Sequence, residues 1–200
     1  MCLTLFKKYD IIIIQYKKSF FTGHKIRKEK TPLKKKDLIF YTDGSCSKNP
    51  GPGGYGIICL DEENKQIKYQ YSESFDLTTN NRMELSAILH VIKLANKYRE
   101  YNFITFSDSA YAVNCINLWI YTWSENGWQN SKKKTIENID LIKEIYKYIE
   151  FPLPNFILSK VDGHAGLLGN EAADRLATGN QKELDKLLKD YSFEGLLTFN

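Results

Sequence analysis

Cysteine is scarce in this chain and scattered along it. Cys2, Cys46, Cys59 and Cys115 form no C-x-x-C pair and have no histidine at zinc-ligand spacing, which excludes a thiolate zinc centre and a disulfide-stapled scaffold. They read as reduced thiols of an intracellular, cytoplasmic protein. Long apolar runs are missing as well. The longest charge-free stretch, Ser109 to Ser124, is sixteen residues and holds Asn114 and Asn117, short of the roughly 20 mostly apolar residues that a membrane-spanning helix needs. The sequence has no internal repeat and, apart from a basic leader, no low-complexity tract.

What is there suits a soluble globular protein: 200 residues, 42% hydrophobic and 26% charged. That length allows one compact domain and some surplus chain. The net charge of +4 is unevenly spread. Residues 1–36 carry eleven Lys or Arg against Asp10 and Glu29, a balance of +9 that leaves −5 for residues 37–200. The leader shows no sustained period and reads as a poorly ordered, solvated extension. Two sharper readings stay open: an arm attracting nucleic acid, or an organelle-targeting leader. The second is weakened because Arg27 is the one arginine in a segment type that is usually Arg-rich.

From Asp37 the text becomes structured. Leu38 to Tyr41 predicts a short strand running into the Gly, Asn and Pro cluster of residues 44–54. Strands at Tyr55 to Leu60 and Gln66 to Ser74 complete an antiparallel meander. Asn80 to Tyr98 changes to helical spacing, with Met83, Ala87, Val91 and Ala95 on one stripe. Phe103 to Ser107 predicts a fourth strand, Ser109 to Trp119 and Ile136 to Ile149 predict helices, and Asn155 to Val161 predicts a fifth strand. A glycine-rich loop at 163–169 and a short helix over Asn170 to Ala177 follow. Strands in a run, then helices alternating with strands, imply an α/β fold with a mixed sheet flanked by helices.

Ionised side chains at the ends of buried elements are costly unless something binds them. Four carboxylates occupy such places: Asp43 closing the first strand, Glu84 in the first turns of the long helix, Asp108 closing the fourth strand, and Asp174 on the last helix. A hard divalent cation would relieve their mutual repulsion. Each also has a structural alternative. Asp43 could be a turn residue before Gly44, Glu84 could complete a capping box with Asn81, Asp108 could sit near a helix N-cap, and Asp174 could be a solvated charge beside Arg175.

The wording around these acids decides between the readings. Residues 41–56 read YTDGSCSKNPGPGGYG, residues 78–85 read TTNNRMEL, and residues 162–176 contain DGHAGLLGNEAADRL. The three blocks, in this order, closely resemble type 1, bacterial-type ribonuclease H over about Asp37 to Gly179. The resemblance implies a ribonuclease H-like fold with a five-stranded mixed sheet whose first three strands are antiparallel. On that basis the chain divides into a basic extension (1–36), a catalytic domain (37–179) and a C-terminal extension (180–200).

The resemblance further implies a metal-dependent endoribonuclease that cuts the RNA strand of RNA–DNA hybrids and leaves 3′-hydroxyl and 5′-phosphate ends. Asp43, Glu84, Asp108 and Asp174, separated by 41, 24 and 66 residues, become the carboxylates for two Mg2+ ions, with Mn2+ as a substitute. Two ions about 3.5–4 Å apart activate the attacking water and stabilise the leaving oxygen. His164, between Gly163 and Gly166, assists proton transfer or product release by the same resemblance. His24 and His90 receive no role. Asn49, Asn80 and Asn81, with the backbone near Gly44 and Ser45, would read the RNA 2′-hydroxyls. Thr79 and Asn138 match a pocket for a DNA-strand phosphate, and Trp119, Trp123 and Ser131 match a channel for the deoxyriboses.

One departure concerns the basic handle of many relatives. Here Ser124, Glu125, Asn126 and Gly127 replace it, and positive charge returns only at Lys132 to Lys134. Hybrid binding by the globular part is therefore expected to be weaker, with the +9 leader compensating. The expected partner is the hybrid, with no membrane and with the protein as a monomer. Two rivals remain: a non-catalytic hybrid-binding protein, disfavoured because no carboxylate is lost, and a segment detached from a reverse-transcriptase polyprotein, disfavoured by Met1.

Overall fold

A computed structural model describes residues 35–149, 153–163 and 165–197. The leader expected over residues 1–36 lies almost wholly outside the described residues, and so does His164. The strands are β1 (Lys36–Cys46), β2 (Gly51–Asp61), β3 (Gln66–Thr78), β4 (Tyr101–Ser107), β5 (Phe156–Lys160) and β6 (Ser192–Phe193). They form one sheet in the order β5-β4-β1-β2-β3-β6. The meander β1-β2-β3 is antiparallel, as expected, while β4 lies parallel to β1 and β5 parallel to β4. The sheet has six strands instead of five. The sixth is two residues long, paired in parallel with Gln66 and Ile67 of β3, and so short a segment has no periodicity to read. Ahead of it, α6 (Gln181–Leu187) buries Leu184, so residues 181–197 continue the fold.

The central strands are buried on both faces, which requires helices on both. Successive residues of β1 point to opposite sides. Phe40 joins the core beneath α1 (Asn80–Lys97), stacking on Phe103 at 5.1 Å. Tyr41 faces α5 (Leu168–Ala177) and packs on Phe106. Glycine lets both helices approach the sheet backbone. A Cβ on Gly44 would lie 2.3 Å from the Glu84 nitrogen of α1, and one on Gly56 would lie 2.3 Å from the Ala173 carbonyl oxygen of α5. Gly56 is the register partner of Asp43 on β2, and Gly44 follows Asp43 on β1, so both helices touch down around Asp43.

Several boundaries differ from the sequence expectation. β1 runs past Asp43 to Cys46, because pairing with β2 continues through the glycines to Cys46↔Gly53. Asp43 is therefore inside a strand and not at its end. Thr79 caps α1, its hydroxyl accepting from the Arg82 N–H; Glu84 then sits beyond the first turn and forms no capping box with Asn81. Ser109 caps α2 (Ala110–Asn114), which continues through one π-helical turn (Cys115–Trp119) into α3 (Ile120–Glu125). α4 (Ile139–Ile149) starts three residues later than expected, since Asn138 has a φ of +56°. Among the described residues no helix is long and apolar enough to cross a membrane.

His90 is buried in α1 within a chain of hydrogen bonds. The Tyr55 hydroxyl donates to Glu73 Oε2 at 2.6 Å, so its oxygen is left to accept from His90 Nδ1 at 3.3 Å. Neutral His90 then accepts the Tyr69 hydroxyl at Nε2, 2.5 Å away. The Tyr71 ring packs 4.4 Å from the imidazole. Burial, and secondarily Lys93, lowers the His90 pKa to about 4. The unfolded chain takes up this proton near pH 6.5 while the folded chain resists it, so the contribution is complete above pH 6.5 and is lost as pH falls towards 4. From those two values the loss is about 3 kcal/mol. Urea unfolding at both pH values should show the stability difference between the protein and His90→Asn shrinking by that order. A difference independent of pH would contradict the neutral, doubly bonded imidazole.

Candidate active site

Asp43 from β1, Glu84 from α1 and Asp108 from the end of β4 come together although 41 and 24 residues separate them. One carboxylate oxygen from each lies within 4.8 Å of the others. They line a polar cavity of about 250 Å³ with Gly44, Asn80, Asn170, Glu171, Asp174 and Arg175. The parallel β1-β4 pairing sets Asp43 next to Asp108, because Thr42 is in register with Ser107. Contact of the Gly44 backbone with α1 delivers Glu84 from the other side.

Glu84 is 5% exposed, and its Oε2 is buried without a hydrogen-bond partner. Burial, then the charges of Asp43 and Asp108, raise its pKa well above the ordinary carboxylate range. Asp43 is pushed up to about 7, first by burial, then by the negative charges of Asp108 and Asp174, with the Gly44 N–H opposing in part. Asp174 stands outside the three-acid cluster, and its negative charge is close enough to Asp43 to help raise that residue's pKa. An orphaned carboxylate oxygen beside two others costs free energy unless a partner neutralises it. A divalent cation with oxygen ligands supplies the missing partner, so the residues present fit such an ion.

Asn170 is a site residue that the sequence reading missed. It is buried on α5, and its Nδ2 donates to Asp108 Oδ2 at 3.0 Å, fixing that carboxylate. Arg175 was read only as a neighbour of Asp174, yet it also lines the cavity. Helical spacing holds the signal for the first, since residues i and i+4 share a face and place Asn170 beside Asp174.

The residues expected to meet a substrate fall into two groups. Asn49 Oδ1 accepts from the Asn80 backbone N–H at 3.0 Å, joining the β1–β2 loop to the first residue of α1. Gly44 and Asn80 line the acidic cavity itself, and Asn81 follows in the first turn. Ser45 lies two residues along β1 from Asp43, half-buried. Thr79 and Asn138 lie at the starts of α1 and α4, which are clamped together by the bidentate Arg82–Asp140 pair at 2.9 and 2.7 Å. Asn138 also donates to the Tyr111 hydroxyl, and the Tyr111 ring packs against Trp119. Trp119 is 38% exposed, and its ring centre is 5.6 Å from that of Trp123. Ser131 is exposed in the turn beyond, beside exposed Lys132 to Lys134.

The RNase H family profile matches residues 35–182. Ribonuclease H of Caldicellulosiruptor saccharolyticus is 39% identical over 150 residues, covering 74% of this chain and 99% of the relative. Ribonuclease H of Syntrophomonas wolfei is 41% identical over 152 residues, with the same two coverages. Among solved structures, LC9-RNase H1, described as a type 1 RNase H with the type 2 active-site motif, matches with a TM-score of 0.61 at 26% identity, over 77% of this chain and 76% of its own. The foamy viral protease-reverse transcriptase, solved in complex with RNA/DNA hybrid, matches with a TM-score of 0.62 at 25% identity, over 82% of this chain and 23% of its own. With the profile spanning most of the chain and relatives near 40% identity matched over nearly their full length, this chain belongs to the ribonuclease H family.

Proposed function

We propose that the chain is an endoribonuclease that hydrolyses the RNA strand of RNA–DNA hybrids. It does so with two divalent cations, Mg2+ or Mn2+ in its place, leaves 3′-hydroxyl and 5′-phosphate ends, has little sequence preference and acts as a monomer. The observation that carries this reading is the convergence of Asp43, Glu84 and Asp108 around a buried, unpartnered Glu84 oxygen. Family membership and the hybrid-bound relative support the substrate.

Asp43, Glu84 and Asp108 would hold one cation, and Asp43 with Asp174 the other. When bound, the pair supplies activation of the attacking water and stabilisation of the leaving oxygen. Asn170 keeps Asp108 aimed at the cavity. His164, next to Gly163, would move a proton or help product leave. Asn80, held to Asn49, and Asn81 offer amide donors and acceptors for RNA 2′-hydroxyls, with Gly44 and Ser45 alongside. The helix starts at Thr79 and Asn138 suit a DNA phosphate, while Trp119, Trp123 and Ser131 would line the deoxyribose channel. All these contacts are to sugar and backbone, which accounts for the low sequence preference.

The test compares a labelled RNA–DNA hybrid with single-stranded and double-stranded RNA, with and without Mg2+, beside Asp43→Asn. Cleavage confined to the hybrid, dependent on Mg2+ and lost in the variant is expected. Equal cutting of free RNA, or full activity in Asp43→Asn, would sink the assignment.

A further inference from the structure

One side chain in the acidic cavity has the opposite sign. Among the described residues lining it, Arg175 alone is basic, and its Nη1 donates to Asp174 Oδ2. The two are sequence neighbours on α5, with side chains 32% and 28% exposed, so water screens the pair only in part. Asp43, Glu84 and Asp108 close on one another without Asp174. Arg175 therefore occupies an oxygen of Asp174, which with Glu171 is one of the two lining acids outside that cluster.

We infer that Arg175 is a positioning residue that latches Asp174 in the substrate-free protein, so that the site loads one divalent cation readily and a second only after Arg175 releases it. This inference rests on the metal-dependent reading above and adds the order of loading. A guanidinium on the carboxylate competes for the same oxygen and repels an incoming doubly charged ion. The natural competitor for the guanidinium is a phosphodiester, which accepts two parallel hydrogen bonds from it and carries a full negative charge. The RNA backbone entering the cavity brings that group to Arg175. Asp174 is then freed when the scissile phosphate is near, which couples the second cation to substrate.

The latch is tested by titrating the full chain with Mn2+ and no nucleic acid, following the free-ion signal by electron paramagnetic resonance. The protein should bind one Mn2+ well and a second weakly. In Arg175→Gln the second binding should tighten about tenfold, whereas Arg175→Lys, which keeps the charge, should remain near the original. Adding Asp174→Asn to Arg175→Gln should remove the second site. In cleavage assays Arg175→Gln should reach half its maximal rate at a lower Mg2+ concentration while KM for the hybrid rises. Second-site binding in Arg175→Gln that equals or falls below the original overturns the latch and leaves the metal centre intact. A protein that binds no Mn2+, or an Asp43→Asn variant that binds it unchanged, overturns the metal centre and the latch together.

Discussion

Glu84→Gln should yield a protein that is more stable than the original without divalent cations at pH 8 and yet cuts hybrids at least about 1,000-fold more slowly. The two effects share one cause. In the metal-free fold Glu84 is buried, faces Asp43 and Asp108, and has an oxygen with no partner. Removing a buried charge of that kind and keeping the side-chain shape is worth about 1–3 kcal/mol, or roughly 5 °C in Tm for a domain of this size. The loss of rate follows because the amide offers one neutral oxygen where a cation needs a charged one. The pH dependence has a definite sign. Burial and the neighbouring acids raise the folded pKa of Asp43 to about 7, so its ionisation destabilises the metal-free fold increasingly as pH rises from about 4 to 7. The original should therefore gain on the variant as pH falls from 8 to 5, because protonation of Asp43 removes one of the negative charges that face Glu84. Thermal melts in a chelator at the two pH values, with hybrid cleavage at pH 8, measure all three quantities. A variant that is less stable than the original at pH 8 would show that the carboxylates do not repel one another.

Gly44→Ala should also damage activity, through geometry alone. The added methyl would lie 2.3 Å from the Glu84 nitrogen and 2.5 Å from the Met83 carbonyl carbon, both main-chain atoms that no rotamer change can move aside. Either α1 shifts away from β1 by about an ångström or the strand buckles, at a cost of about 1–3 kcal/mol. Asp43 sits beside the substitution on β1 and Glu84 is one of the contacted residues on α1, so either response separates two of the three clustered acids. A misplacement of that size is worth about 100-fold in rate. Chemical unfolding and hybrid cleavage report the two effects, and Gly44→Ala with the original rate would contradict the close packing of strand on helix.

Much of this site could be read before any coordinates. The acids are flanked by residues whose types are dictated by packing: glycine where β1 meets α1, small residues where α5 lies on β2, threonine where α1 is capped. Those constraints are local, so they leave recognisable wording at residues 41–56, 78–85 and 162–176. The meander and α1 were legible for a related reason, since strand and helix periods are long enough there to count. What escaped notice depends on tertiary contact. Asn170 is one amide among many until the fold sets it 3.0 Å from Asp108. His90 looked like an unassigned mid-helix residue because its partners, Tyr55 and Tyr69, come from two other strands. The extension of β1 beyond Asp43 was hidden by the glycines of residues 44–54, which read as a turn in isolation and here let the β1–β2 pairing continue and α1 reach β1.

The most direct measurement is diffraction from crystals of the full chain grown with Mn2+, using its anomalous signal to find the ions. A peak bounded by carboxylate oxygens of Asp43, Glu84 and Asp108, lost in crystals of Asp43→Asn, is the expected result. Well-ordered crystals with no density among those three side chains at saturating Mn2+ would contradict the account.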